Sequence, residues 1–311
     1  MFKKLEYVYM LYKEQSFTKA AERLFISQPS LSAAIKNIEA EVGAPLFDRT
    51  GSKITLTEIG REYVIAAEKM MRIKDEFTNR VNDIYNLEVG SLSVGGTNYL
   101  ASYILPGIIN RFVSKHPKID VTLVEANSSN LGRMIHNEEL DIIIDSFDGE
   151  DDVYQRYPLS SERILLCVPA SMNVNRKLEE YAVSPEAIYK QENITTPIVP
   201  IEKFKDESFV LLKSGNDMHD HAMKILDKAG IEPRVSFYVD QLNISFALAD
   251  SGMGVCFITD TIFKYGNYRK NVVLYNLGNE HRTLYVAHKK NRYCTTAMKE
   301  FIEVAKQMLV N

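Results

Sequence analysis

Cysteine is scarce in this chain. The 311 residues hold three, at positions 167, 256 and 294, too far apart for any metal-ligand spacing. Long apolar runs are also missing, and none approaches the roughly 20 residues that a membrane-spanning helix requires. Positive charge is not in excess. Lys and Arg number 37 against 41 Asp and Glu, a formal net charge of −4, which argues against indiscriminate nucleic-acid binding. There is no glycine-rich phosphate loop of either common spacing, no GxSxG and no HExxH. With no nucleophile–base pairing either, neither catalysis nor a cofactor is expected. The composition is otherwise ordinary for a globular protein, at 45% hydrophobic and 25% charged residues, and the length suits two or three modules.

The most informative stretch is 16–49, SFTKAAERLFISQPSLSAAIKNIEAEVGAPLFDR. Ser16 suits an N-cap and 19–24 is helix-prone. Phe25 and Ile26 interrupt, and Ser27 caps a second helix with Pro29 in its first turn, where a missing N–H costs nothing. Leu31, Ala34 or Ile35, Ile38 and Val42 recur at helical spacing and should face a core. Gln28, Ser30, Ser32, Ala33, Lys36 and Asn37 are left outside, a small polar face of the kind that enters a major groove about 12 Å wide. On periodicity alone, that face fits a solvated αα-hairpin equally well. Residues 49–56, RTGSKITL, predict a two-stranded hairpin turning at Gly51-Ser52.

The run AAERLFISQPSLSAAIKNIEAEVGAPLFDR, with the ITLTEIG that follows it, closely resembles the N-terminal domain of LysR-type transcriptional regulators. The resemblance rests on Ala20, Ala21, Leu24, Ser27, Gln28, Pro29, Ser32, Ile35, Glu39, Gly43, Leu46, Phe47, Arg49, Leu56, Thr57 and Gly60. It implies an all-α winged helix-turn-helix with a long linker helix, then an α/β two-lobed effector domain like the periplasmic binding proteins. The expected boundaries are 1–58 for the DNA-binding domain, 59–88 for the linker and hinge, and 89–311 for the effector domain. Its first lobe is expected at about 91–167 and 270–311, its second at about 168–269. The resemblance further implies that Gln28, Pro29, Ser32 and Lys36 sit at base edges of double-stranded promoter DNA, with Ser30, Arg49, Thr50 and Lys53 on the backbone. Ala33 is where many relatives carry a longer polar side chain. Local charge does not decide the matter, since residues 1–60 hold eight basic and seven acidic side chains.

Before this stretch, Phe2, Leu5, Val8 and Leu11 or Tyr12 predict a helix face rather than a secretion leader, so a cytoplasmic protein is expected. After it, 58–86 reads as one long helix. Ile59, Tyr63, Ala66, Met70, Ile73, Phe77 and Ile84 follow 4,3 spacing, a seam of about four heptads. A helix this long needs a partner along its stripe. In the resembling family that partner is the same helix of a second subunit, so a homodimer is expected, with a homotetramer as the larger option.

From 91 the pattern alternates. Strands are expected at 92–97, 121–126, 141–145 and 163–168, with helices at 100–115 and 130–138, implying a mainly parallel sheet. Residues 173–200 are polar and carry three prolines, with one short helix at 185–191. Alternation resumes through strands 209–213, 236–240 and 254–259 and helices 219–229 and 242–251. Strands at 272–277 and 283–288 lead back to a closing helix, 295–309.

A ligand should sit between the lobes, near strand C-termini and helix N-termini. The expected effector residues are Thr97 and Asn98, Ser128 and Ser129, Phe147 as an apolar wall, Ser214, Gly215 and Asn216, and Gln241 with Asn243 beside it. Helix N-terminal N–H groups favour an anionic effector, with Lys213 or Arg133 to pair it. His219 and His221 lie two apart, on different sides of a helix, and no metal is expected there. Cys167 and Cys256 sit in apolar runs as buried strand residues. The competing readings are a small-molecule-binding module or enzyme on these lobes without DNA regulation, and a redox-sensing regulator using Cys167, Cys256 and Cys294.

Overall fold

The computed structural model describes residues 5–48, 54–84, 89–146, 153–190, 194–265 and 271–309. The chain divides into two compact units, Met1–Tyr85 and Asn86–Asn311. In the first, α1 spans Leu5–Glu14, α2 Phe17–Arg23 and α3 Gln28–Val42. Ser16 and Ser27 both cap, accepting from the amides of Lys19 and Ser30 at 3.4 and 3.3 Å. Val8, Leu11, Ala20, Ala21, Leu31, Ile35 and Ile38 form the core between these helices. Each of the larger aliphatic side chains contributes about 2 kcal/mol by leaving water. Phe2 and the hairpin turn at 49–53 lie outside the described residues. The hairpin's stem is present as β1 (Phe47–Asp48) paired antiparallel with β2 (Thr55–Leu56).

The wing is tied to α3 through its backbone amides as well as through Leu46 and Phe47, both buried in this core. Glu39 Oε1 accepts the amides of Leu46 and Phe47 at 2.9 and 3.3 Å. The Leu46 carbonyl accepts the Thr57 amide at 3.0 Å. Thr57 Oγ1 in turn accepts the Gly60 amide at 2.9 Å, starting α4 (Glu58–Ile84). Along α4 the expected seam needs one correction. Tyr63 is buried with Val64 and Ala67 in this unit's own core, because the face bearing residues 60, 63, 64 and 67 packs inward. Ile59, Met70, Ile73 and Phe77 stay exposed, the last two by about two thirds.

In the second unit, β3 (Gly90–Gly96) lies between β4 (Ile119–Glu125) and β5 (Ile142–Asp145), parallel to both. Two long strands, β6 (Tyr154–Pro169) and β11 (Val272–Lys289), run antiparallel for almost their whole length. The end of β11 pairs with β5, and the end of β6 pairs with β10 (Cys256–Thr259). A short strand, β7 (Ala182–Val183), pairs with β11. The second lobe adds the parallel pair β8 (Ser208–Leu212) and β9 (Arg234–Val239), with Phe209 bridging to Val255 ahead of β10. Helices α5 (Asn98–Tyr103), α6 (Leu105–Lys115), α7 (Ser128–His136), α8 (Pro185–Tyr189), α9 (Asp217–Lys228), α10 (Leu242–Asp250), α11 (Asp260–Tyr265) and α12 (Thr296–Leu309) flank the strands. Phe112 and Phe301 pack edge to face between α6 and α12.

Four expectations need revision. The sheet is mixed rather than mainly parallel, because the long returning strands pair antiparallel with β5, β10 and each other. The helix expected over 100–115 is two, α5 and α6, broken at Ile104, because Pro106 has no N–H to donate to the preceding turn and its ring crowds the carbonyl four residues back. The two strands expected at 272–277 and 283–288 are one, β11, carried past Gly278 by a register shift between Asn276 and His281. The strand expected at 163–168 begins earlier, at Tyr154. Residues 164–167 already pair with β10 and 272–276 with the end of β6, so both chains cross between lobes inside continuous strands.

Gly60 is the position where the first unit tolerates no side chain: a Cβ there would lie 1.9 Å from the Leu46 carbonyl oxygen, which is itself held by Thr57. Gly60→Ala is expected to destabilise this unit by about 2 kcal/mol or more. Thermal unfolding of the Met1–Tyr85 unit followed by circular dichroism checks this, and an unshifted Tm would show that the contact relaxes freely.

Candidate functional site

The outer face of α3 carries Gln28, Pro29, Ser30, Ala33, Lys36 and Asn37, all exposed, with Ser32 half-buried. Ala34 and Ile35 both point inward, resolving the choice the periodicity left open. Gly43 ends the helix at φ +82°, the left-handed geometry glycine adopts without strain. The Ser30 hydroxyl lies 2.7 Å from that of Ser27, so part of its hydrogen-bonding capacity serves the cap. Arg49, Thr50 and Lys53 lie outside the described residues.

In the second unit a cavity of about 140 Å³ opens between the lobes. Its lining includes Thr97 and Asn98, Glu125 to Asn127, Asn216 and Asp217, Asp240 and Gln241, and Arg282. These residues cluster because β3, β4, β8 and β9 all end here, each followed by a helix N-terminus. Asn127 caps α7 through the Asn130 amide at 2.9 Å. Thr97, Asn216 and Gln241 occupy the cap positions of α5, α9 and α10 without making a side-chain cap bond. Among the described residues, several contacts cross the cleft. The Ser129 amide donates to the Gly215 carbonyl at 3.1 Å, Ser146 Oγ donates to Asp217, Arg282 Nη1 donates to Asp217 at 2.7 Å, and Gln241 Nε2 reaches Glu125 at 3.5 Å.

Comparison with known proteins decides what this arrangement belongs to. Residues 2–61 match the model for "Bacterial regulatory helix-turn-helix protein, lysR family", and residues 86–310 match the "LysR substrate binding domain". The chain belongs to the LysR family of transcriptional regulators. The HTH-type transcriptional regulator YcgK of Bacillus subtilis is 30% identical over 99% of this chain and 94% of its own length. Full-length CbnR complexed with its target DNA shares the fold at a TM-score of 0.70, with 17% identity and 99% of each chain covered. The effector-binding domain of QuiR in complex with shikimate superposes with a TM-score of 0.57 at 16% identity, covering 71% of this chain and 98% of that one. This protein is therefore a DNA-binding transcriptional regulator with an effector domain.

The regulator's cleft gathers Thr97, Asn98, Asn216 and Gln241 on its lining. Ser128, Ser129, Ser214 and Gly215 are not part of that surface. Ser129 and Gly215 bond to each other, the Ser128 hydroxyl is buried next to Asp145, and Asn243 Oδ1 is buried without a described partner. Phe147 lies outside the described residues. Lys213 lies 2.7 Å from Asp240 and Arg133 3.4 Å from Glu139, and neither cation is part of the cavity lining. The charge that sequence reasoning missed is acidic. Glu125, Asp217 and Asp240 line the cavity against a single guanidinium, Arg282, and Asp217 with Asp220 already fills the first turn of α9. The expected preference for an anion is not what this lining presents.

Behind the cavity, Arg282 is buried between Glu162 and Asp217, at 2.6 and 2.7 Å. Burial alone would lower its pKa, but Asp217, Glu162 and Asp145 more than reverse that and hold it charged. Glu162 also accepts from Thr261. Asp145, at the end of β5, is 1% exposed, and its Oδ2 finds no hydrogen-bond partner. Burial and the neighbouring Asp217 charge push its pKa up to about 7, against the opposing pull of Ser128, Arg282 and the Ser146 amide.

The remaining candidates are structural. Cys167 and Cys256 sit opposite each other on β6 and β10, both fully buried, and burial pushes the Cys167 thiol well above its ordinary pKa. That is the reverse of what a redox sensor needs. His219 Nδ1 lies 2.6 Å from the Leu212 carbonyl. No His, Cys, Asp and Glu cluster among the described residues could hold a metal ion, and no described helix is long and apolar enough to cross a membrane.

Asp145 gives a measurable pH signature. Well below pH 4, about the ordinary carboxylate pKa, folded and unfolded chains both hold the proton. Between there and a pKa of about 7 the unfolded chain loses a proton that the folded one keeps, so stability falls as pH rises and then levels off. Asp145→Asn is expected to raise Tm most at about pH 8, with the gain shrinking towards about pH 5. A gain that grew on acidification would rule this out.

Proposed function

We propose that this regulator reads a specific promoter duplex with α3 and its wing, and that a small molecule entering the inter-lobe cleft alters that reading. The observation that carries the proposal is the exposed polar face of α3 in one chain with a two-lobed unit whose lobes meet through a few hydrogen bonds around a cavity. Gln28, Pro29, Ser32 and Lys36 are assigned to base edges, and Ser30, Arg49, Thr50 and Lys53 to sugar-phosphate. The Ala33 methyl suits a thymine methyl. Thr97, Asn98, Asn216 and Gln241 are assigned to the effector, with Phe147 kept as an apolar wall. Ser128, Ser129, Ser214 and Gly215 are assigned to the seam beside it. The effector must favour one arrangement of the lobes over another, since binding both equally would shift nothing.

The exposed stripe of Ile59, Met70, Ile73 and Phe77 supports a homodimer through α4, as a helix of 27 residues needs apolar cover along its length. Strands β4 and β9, each paired on one side among the described residues, expose Leu123, Phe237 and Tyr238. Such open apolar edges suit further pairing, towards a homotetramer. The promoter partner places the working protein in the cytoplasm. The proposed domain limits are 1–58, 59–88 and 89–311, with the lobes exchanging chain along β6 and β11.

A gel-shift experiment on the DNA upstream of the protein's own gene, at two salt concentrations, tests the reading. Specific retardation that weakens with salt is expected. Lys36→Ala should lower specific affinity by about tenfold or more, and unchanged binding would move the reading face away from α3. Replacing Ile73 and Phe77 together with Glu is expected to drop the mass in light scattering towards that of a single chain. An unchanged mass would place the dimer elsewhere.

A further inference from the structure

The cleft's charge says which chemistry fits it. Its lining presents Glu125, Asp217 and Asp240, and its one cation, Arg282, is already shared between Asp217 and Glu162. Asp240 at the end of β9 has Lys213 beside it, both well exposed. Glu125 ends β4 in the other lobe, and its one contact across the cleft is a long hydrogen bond from Gln241. No described cation pairs with it. The mouth of the cavity is therefore bordered by a carboxylate from each lobe, Glu125 and Asp240, with Lys213 beside Asp240 alone. In a partly enclosed site such like charges repel more than they would in bulk water.

An anionic ligand would add to this repulsion, whereas an ammonium group would relieve it. We propose that the effector of this regulator bears a primary ammonium group, held at the cleft mouth by Glu125 and Asp240. The rest of the molecule would meet Thr97, Asn98, Asn127 and Asn216, whose amide and hydroxyl groups offer both donors and acceptors. A cavity of about 140 Å³ is roughly ten times the 10–15 Å³ that a single water needs. It has room for a small amine or an amino acid. The ammonium group also supplies a reason for the lobes to respond. Glu125 and Asp240 come from different lobes, so a cation between them favours the closed arrangement over the open one. This inference rests on the cleft being the effector site.

The test is isothermal titration of the full-length protein with L-lysine, L-arginine and ethanolamine, against succinate, benzoate and inorganic phosphate. Each compound is followed by a gel shift on the upstream DNA. An ammonium probe is expected to bind, to lose affinity by at least tenfold in Glu125→Gln and in Asp240→Asn, and to weaken with added salt. Both side chains are exposed, and matching circular dichroism and Tm of the ligand-free variants confirm folding. Binding of an ammonium probe that both variants leave unchanged overturns the proposal. Binding by succinate, benzoate or phosphate alone, lost in Asn98→Ala, overturns the ligand class while leaving the cleft as the effector site. Binding of an ammonium probe, lost in both variants, with no change in the gel shift keeps the ligand class but overturns its role as effector.

Discussion

The guanidinium of Arg282 lies where the chain passes between lobes on β11, and the rest of the effector unit is arranged around keeping it charged and satisfied. Glu162 on β6 and Asp217 at the start of α9 hold it from two sides. A buried ion pair adds little net stability compared with well-packed apolar residues, yet removing one partner costs several kcal/mol because the other charge is stranded. That asymmetry makes Arg282 a pin rather than a source of stability. It fixes how β6, β11 and α9 meet, and hence where the cleft floor lies. The cluster holds more carboxylates than cations, and Asp145 absorbs the imbalance by holding its proton up to about pH 7.

In the DNA-reading unit the corresponding constraint is the backbone around Leu46. Its amide is bound by Glu39 of α3, and its carbonyl by Thr57 at the threshold of α4. The wing therefore takes its position from the recognition helix and the linker helix together. Gly60 is needed because α4 passes so close to that carbonyl. The Glu39 carboxylate and the Thr57 amide hold the Leu46 peptide group from both sides, while the Leu46 and Phe47 side chains are buried in the same core.

Much of this was legible before any coordinates. The caps Ser16 and Ser27, the inward positions of α3 and the alternation of the second unit follow from local chemistry and period. Residues at strand-to-helix junctions could be named because the α/β layout brings such junctions together. What could not be read was pairing across distance. Nothing local links Glu162 to Arg282, or Ser129 to Gly215, so the cleft's lining and its seam looked alike from the sequence. Tyr63 fits a 4,3 seam as well as it fits an inward face, and only the packing of α1 on α4 separates the two. The split of α5 from α6 follows from Pro106, a local signal that the apolar period on either side masks. The acid excess of the cleft escaped because a helix N-terminus suggests an anion until the carboxylates around it are counted.

The contacts across the cleft are unequal, and their magnitudes indicate where a ligand can act. The pair between Arg282 and Asp217 is short, largely buried and charged on both sides, so disturbing it would cost several kcal/mol. Neutral bonds such as Ser129 to Gly215 contribute about 1 kcal/mol each. The Gln241 contact to Glu125, at 3.5 Å and exposed, contributes less. Effector coupling of about 1–3 kcal/mol is too small to break the pin and large enough to decide the mouth. The lobes should then pivot about Arg282 and open or close at Glu125 and Gln241. A ligand binding with micromolar affinity, about 8 kcal/mol in all, would need to direct only a fraction of that energy to the mouth to change which arrangement dominates.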